Sequence, residues 1–183
     1  MNRETASRTL VLFLMTALLA CGQGVACAAE LPVGAKAPAV DAVDQDGHAI
    51  KLGDAYGSGF TLVYFYPKAD TPGCTKQACS IRDGYAKLTD AGVHVFGVSH
   101  DTPADQKAFK EKYKLPFTLL ADTDSKVTSA FGVPSTGSFA NREAFLIKDG
   151  KIVWRDTTAS TDKQADDVLE AIGGLGVAPA RSP

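Results

Sequence analysis

Cysteine is scarce in this chain, with four in 183 residues, at positions 21, 27, 74 and 79, which excludes a disulfide-dense scaffold. Neither sign of charge dominates. Nineteen Lys and Arg stand against 21 Asp and Glu, a formal charge of -2 with no Lys/Arg-rich run, so the electrostatic footprint of a nucleic-acid-binding protein is missing. The apolar run from Leu10 to Ala20 has eleven residues. At about 1.5 Å of rise each they reach roughly half of a ~30 Å bilayer core, too short for a permanent transmembrane helix. Internal repeats and long linkers are also lacking. What is present, 45% hydrophobic and 22% charged residues, is ordinary globular composition and excludes wholesale disorder.

The first 28 residues have the pattern of an export signal. Arg3 and Arg8 precede the apolar run, and Ala26-Cys27-Ala28 offers the small residues of a cleavage site. A second reading competes, because Leu18-Leu19-Ala20-Cys21-Gly22 is similar to a bacterial lipobox, in which Cys21 would carry lipid and a membrane anchor; an uncleaved leader is a third. The two main readings both send the protein out of the cytoplasm, to the periplasm or to a membrane surface facing it. Cleavage after Ala28 leaves residues 29–183 with Cys74 and Cys79 alone, a chain long enough for one self-supporting core without disulfide staples. That pair needs a chemical reason.

Along residues 29–183 the pattern predicts one domain. Two short apolar stretches flank Asp46-Gly47 as a hairpin between Val40 and Leu52, and Gly53 to Gly59 reads as a loop. Phe60 to Tyr66 is rich in β-branched and aromatic residues without polar alternation, the pattern of a central strand covered on both faces, and Pro67 ends it. Helical spacing runs from Thr71 to about Thr89, then a strand from Val93 to Ser99, a helix from Pro103 to Lys114, a strand from Phe117 to Ala121 and a short helix from Asp124 to Phe131. A hairpin turning at Asp149-Gly150 and a helix from Thr161 to Ile172 follow, with a frayed tail from Val177. This order predicts a three-layer α/β sandwich on a mixed central sheet.

After Tyr66 the chain reads Pro67-Lys68-Ala69-Asp70-Thr71-Pro72-Gly73-Cys74-Thr75-Lys76-Gln77-Ala78-Cys79. Thr71 is suited to cap a helix and Pro72 to begin one, which places Cys74 in the first turn, among unpaired backbone N–H groups at the positive end of the dipole. A thiolate is stabilised in that setting, so Cys74 is a candidate nucleophile. The competing reading is an inert cysteine at a strand-helix junction. In a continuous helix Cys79 lies with its Cα roughly 8 to 9 Å from that of Cys74, whereas a disulfide needs less than ~7 Å. A permanent disulfide is therefore disfavoured relative to a pair joined only after local unfolding, as a redox cycle requires. Metal binding is disfavoured too, since His48, His94 and His100 have no spacing that completes a four-ligand site with the thiols.

The run PKADTPGCTKQACSIRD resembles the peroxiredoxin signature Pro-x-x-x-Thr-x-x-Cys, specifically that of the Q-type or bacterioferritin-comigratory subfamily, with TPGCT and a second Cys five residues after the first. The similarity continues through LVYFYPK, GVHVFGVSHD, FTLLADTD, FGV and REAFLIKDGKI, most of residues 33–173. The resemblance implies a thioredoxin-like fold and thiol-dependent reduction of hydroperoxides, with Cys74 as peroxidatic and Cys79 as resolving cysteine. It implies that Pro67 and Thr71 are signature residues, and that Arg142 is the Arg opening the family's Arg-x-Thr-Phe strand, which here reads Arg142-Glu143-Ala144-Phe145. A monomer, an external thioredoxin-like dithiol and no flavin, haem or metal are the expectations that follow.

The chemistry asks for the same residue types. Thiolate attack on one peroxide oxygen expels the other as a developing alkoxide, so a cation and hydrogen-bond donors are needed around both. Arg142 offers the charge, and the Thr71 hydroxyl and first-turn N–H groups offer donors; the bland reading of Arg142 is a solvated strand-end charge. Arg82 lies roughly 12 Å further up the helix axis and is expected to pair with Asp83 or another carboxylate. Pro67 ends its strand, and shielding of the sulfur is a role only the resemblance adds. Two other functions remain open from the residues: a thiol-disulfide oxidoreductase, which the lack of Cys-x-x-Cys opposes, and a binding module on the same fold.

Overall fold

The computed structural model describes residues 30–176. The leader with Cys21 and Cys27, and the tail from Val177, lie outside the described residues. A β-hairpin of β1 (Asp41–Val43) and β2 (Ala49–Lys51) comes first, turning where Gly47 takes φ +85°. The stretch read as a loop from Gly53 is a 3-10 helix, Leu52–Gly57, because Leu52 and Tyr56 bury themselves under the sheet and wind the chain around them.

The main sheet has five strands in the order β5-β4-β3-β8-β9: β3 (Phe60–Phe65), β4 (Val93–Ser99), β5 (Thr118–Ala121), β8 (Ala144–Lys148) and β9 (Lys151–Asp156). β3 is parallel to β4 and β4 to β5, while β3–β8 and β8–β9 are antiparallel, so the sheet is mixed as the pattern predicts. All six residues of β3 are buried. Alternation along it sends Phe60, Leu62 and Tyr64 into one core and Val63 and Phe65 into the other, which is why its sequence lacks polar alternation.

The first core lies under α1 (Pro72–Asp83), α2 (Tyr85–Asp90), α3 (Pro103–Tyr113) and α5 (Gln164–Gly174); the second lies under the 3-10 helix and α4 (Lys126–Ala130). A two-residue ladder of β6 (Ser135–Thr136) and β7 (Phe139–Ala140) precedes β8. The helix expected to run unbroken from Thr71 to Thr89 is two helices, parted at Gly84. A Cβ there would come within 2.5 Å of the Ala165 Cβ, so glycine lets α5 pack against the joint.

Candidate active site

β3, at the centre of the sheet, delivers the chain to the site. Beyond it, Tyr66 still donates its N–H to the Val98 carbonyl (3.1 Å), and its hydroxyl donates to Gln106 Oε1. The Gln106 amide donates in turn to Ser99 Oγ (2.7 Å), and Ser99 Oγ donates to Asp101 Oδ2 (2.7 Å), which also receives the Ala69 N–H at 2.7 Å. This buried polar chain pins the turn that leads from half-buried Pro67 into α1. Asp70 adopts a left-handed conformation (φ 58°), with its carboxylate held by Lys112 Nζ (2.7 Å) and the Tyr113 hydroxyl (2.6 Å). Those hydrogen bonds, the one from Lys112 foremost, lower its pKa below the ordinary carboxylate value.

Thr71 stands at the cap position in extended conformation, with Pro72 as the first helical residue. The expected side-chain cap is absent among the described residues: the Thr71 hydroxyl donates backwards to the Lys68 carbonyl (2.9 Å), and its own carbonyl accepts the Thr75 N–H (2.8 Å) to close the first turn. The left-handed Asp70 curls the turn so that Lys68, not the helix, is within reach. With its proton on Lys68, the Thr71 oxygen is an acceptor toward anything else.

Cys74 follows in that first turn, 2% exposed, and Cys79 lies on the same helix, partly exposed; both are free thiols. Arg142 enters from the segment between β7 and β8, and strand alternation puts it on the same face as Ala144 and Leu146, which share the core containing Cys74. Its Nη2 donates to Cys74 Sγ at 3.3 Å, and its Nη1 donates to Gln77 Oε1. A Cβ on Gly73 would stand 3.3 Å from Nη2, so the glycine leaves the guanidinium its place against the helix. Gln77 completes the group: fully buried, it donates its Nε2 to Gln164 Oε1 at 2.9 Å. The sequence reading missed Gln77, although its spacing of three residues from Cys74 already put it on the thiol's side of the helix. Arg82 lies elsewhere, as expected, paired with Asp83 at 2.8 Å and donating to the Tyr113 carbonyl at 2.9 Å.

Beneath the helix lie Tyr64 and Tyr66, stacked with ring centroids 5.5 Å apart, and burial raises the pKa of both hydroxyls above the ordinary tyrosine value. The floor of the site is thus uncharged, and among the described residues it is the Arg142 guanidinium that brings positive charge to the thiol. Among the described residues the grouped candidates for metal ligation are Asp44, Asp46 and His48 in the β1–β2 turn, a set that includes neither thiol.

The AhpC/TSA family model matches residues 33–155, two thirds of the chain and all of the elements that build this site up to β9. The chain belongs to the AhpC/TSA family, among the Q-type peroxiredoxins. This peroxiredoxin is 44% identical over 151 residues to peroxiredoxin Q, chloroplastic, of Suaeda salsa, covering 80% of this chain and 70% of the relative. It is 39% identical over 151 residues to the Sedum lineare protein of the same name, covering 80% and 81% respectively. Among solved structures it is similar to peroxidoxin BcpB of Mycobacterium tuberculosis, with a TM-score of 0.74 at 29% identity over 80% of this chain and 99% of that one. Peroxiredoxin Q of Xanthomonas campestris gives a TM-score of 0.72 at 25% identity over 82% and 99%. The fold is therefore the thioredoxin-like sandwich of these peroxiredoxins, and the peroxiredoxin is a thiol-dependent peroxidase, which needs a hydroperoxide and a thiol reductant.

Proposed function

We propose that Cys74 is the peroxidatic cysteine and Cys79 the resolving one, in a peroxidase that cycles through an intramolecular disulfide. The observation that carries this reading is the 3.3 Å contact from Arg142 Nη2 to Cys74 Sγ in the first turn of a helix that also holds Cys79. The Cys74 thiolate attacks one oxygen of the hydroperoxide, the O–O bond breaks, and the other oxygen leaves as an alkoxide that takes up a proton and departs as alcohol or water. Arg142 stabilises both the thiolate and the charge developing on the departing oxygen. Thr71 Oγ1, already donating to Lys68, accepts the hydrogen bond of the peroxide O–H and turns it toward the sulfur. Pro67 closes the strand side of the pocket and shields the sulfur.

Cys74 leaves this step as a sulfenic acid. The Cys79 thiol condenses with it, releasing water and forming the disulfide, which halts oxidation at its reversible stage. An external thioredoxin-like dithiol reduces the bond by exchange and is itself oxidised. The substrates we assign are hydrogen peroxide and small organic hydroperoxides. The leader, with its basic start and Ala26-Cys27-Ala28 site, supports export to the periplasm ahead of lipidation at Cys21, and residues 29–183 as one domain.

Peroxide turnover by the purified protein with excess dithiothreitol tests the assignment. Cys74→Ser is expected to abolish turnover, and substantial residual activity would overturn the central role. One equivalent of peroxide is expected to remove two titratable thiols from the wild type while it keeps monomer mobility on a non-reducing gel; a covalent dimer as the main product would move the resolving role to another chain. Cys79→Ser is expected to accumulate sulfenic acid and to overoxidise on repeated dosing.

A further inference from the structure

Gln164 is the first residue of α5, remote in sequence from the thiols, and fully buried. Its carboxamide meets the site through a chain of directional constraints. A guanidinium has only donors, so Gln77 must present Oε1 to Arg142, and that leaves Nε2 as the face it can offer a second partner. That partner is Gln164 Oε1, at 2.9 Å. Gln77 is 0% exposed, so no solvent stands ready to replace Gln164 as acceptor. With the acceptor gone, the Gln77 amide would hold a buried, unpaired N–H₂ for as long as it faced Arg142, and turning away would release the guanidinium.

The second observation is on Gln164 itself. Its Nε2 is buried and has no hydrogen-bond partner among the described residues. Flipping the amide would set donor against donor toward Gln77, so the present orientation serves Gln77 and leaves Gln164's own donor unsatisfied. Buried unsatisfied groups are rare in native proteins and call for a reason other than stability. We infer that Gln164 is a positioning residue for the peroxide step: through Gln77 it fixes the Arg142 guanidinium over Cys74 Sγ. The inference rests on the peroxidatic role proposed for Cys74 and the charge-stabilising role proposed for Arg142.

The test uses the reduced full chain in single-turnover reactions of Cys74, followed by mass, with hydrogen peroxide and separately with iodoacetamide. Alkylation needs the thiolate but no cation at a departing oxygen, so the ratio of the two rates reports how well Arg142 is placed. Gln164→Met, similar in shape and without an acceptor, is expected to react with peroxide roughly tenfold more slowly, with a smaller loss in alkylation. Gln164→Glu keeps an acceptor for Gln77 and is expected to restore the peroxide rate to within about threefold of wild type. Ser80→Ala removes a different contact between α1 and α5, the long bond from Ala165 N–H at 3.5 Å, and is expected to react at the wild-type rate.

Should Gln164→Met fail to fold, Gln164→Asn, polar but too short to reach Gln77, is expected to be slow in the same way. Wild-type peroxide rates in Gln164→Met or Gln164→Asn, equal losses in both reactions, or no recovery in Gln164→Glu would overturn the inference. If Cys74→Ser is inactive and Arg142→Ala slow while Gln164→Met is normal, this inference alone falls; if Cys74→Ser still turns over, the proposed function falls first.

Discussion

Arg142 divides its hydrogens between Cys74 Sγ, through Nη2, and Gln77 Oε1, through Nη1. One planar group therefore faces the sulfur and is braced from behind, which a lysine ammonium on a flexible stem would not reproduce. Arg142→Ala is expected to slow the reaction of Cys74 with peroxide by about 10²–10³, the usual loss for one donor aimed at developing charge. Arg82→Ala is expected to leave that rate unchanged and to lower the melting temperature, since Arg82 ties α1 to the Tyr113 carbonyl. Stopped-flow rates on both variants check this, and a slow Arg82→Ala beside a normal Arg142→Ala would exchange the two roles. At this scale the sequence singled out Cys74 and Arg142, which the fold brings into contact, but neither Gln77 behind them nor the way the side chains point. Thr71 sits at the cap position its neighbours predict, yet its hydroxyl turns to Lys68 because Asp70 takes a left-handed φ of 58° that no local pattern marked. Gln164 reaches Gln77 from a distant helix, a contact that only the tertiary fold creates.

In α1, the buried residues Cys74, Gln77, Ala78 and Ile81 form a single stripe at helical spacing. Closing a disulfide between Cys74 and Cys79 requires about 8 to 9 Å of helical Cα separation to shrink below ~7 Å. Unwinding the first turn breaks the Thr75 to Thr71 bond and withdraws Cys74 and Gln77 from Arg142, while Ala78 and Ile81 can stay packed on the sheet. The disulfide form is therefore expected to lose amide protection over Gly73 to Ile81 with β3 still protected, and to melt below the reduced form, which makes the bond easy to reduce. Hydrogen exchange on both forms checks it: equal protection across that stretch, or a higher melting temperature on oxidation, would mean the cysteines are already placed to bond. The five strands of the main sheet, the hairpins turning at Gly47 and Asp149-Gly150 and the helix carrying Cys74 were legible from β-branched and aromatic runs, Asp-Gly turns and a Thr-Pro helix start, whereas the β6–β7 ladder, two residues to a strand, is too short to leave such a mark. The break at Gly84 was not legible either, since what demands it is Ala165 on another helix.

On the scale of the whole molecule, the sheet separates two cores, and successive residues of one segment serve opposite faces. Arg142 sides with the core under α1, and Glu143 points the other way, with Phe145 and Ile147. Glu143 accepts from Arg155 Nη2 at 2.8 Å and Nε at 3.1 Å, both side chains less than a tenth exposed. Arg155 also donates to the Leu31 carbonyl at 3.4 Å and lies 5.3 Å from the Phe145 ring, so the pair joins β9, β8 and the start of the described chain. The sequence displayed Glu143 only as a departure from the family's strand motif; its partner, twelve residues on, becomes a neighbour through the β8–β9 register that sets Phe145 beside Arg155. Removing Glu143 leaves the buried Arg155 guanidinium with the exposed Glu30 carboxylate, 3.4 Å from Nη1, as its remaining charged partner among the described residues, a poor replacement for a buried bidentate one. Glu143→Ala is therefore expected to destabilise the protein by about 3–5 kcal/mol, whereas replacing both Glu143 and Arg155 with apolar residues of similar volume is expected to recover most of that loss. Urea denaturation of the two variants and the wild type measures both values. A loss below about 1 kcal/mol in Glu143→Ala would mean that water reaches the pair and screens it as on a surface, and a double variant no more stable than the single one would locate the loss in packing around Phe145 instead of in the poorly paired charge.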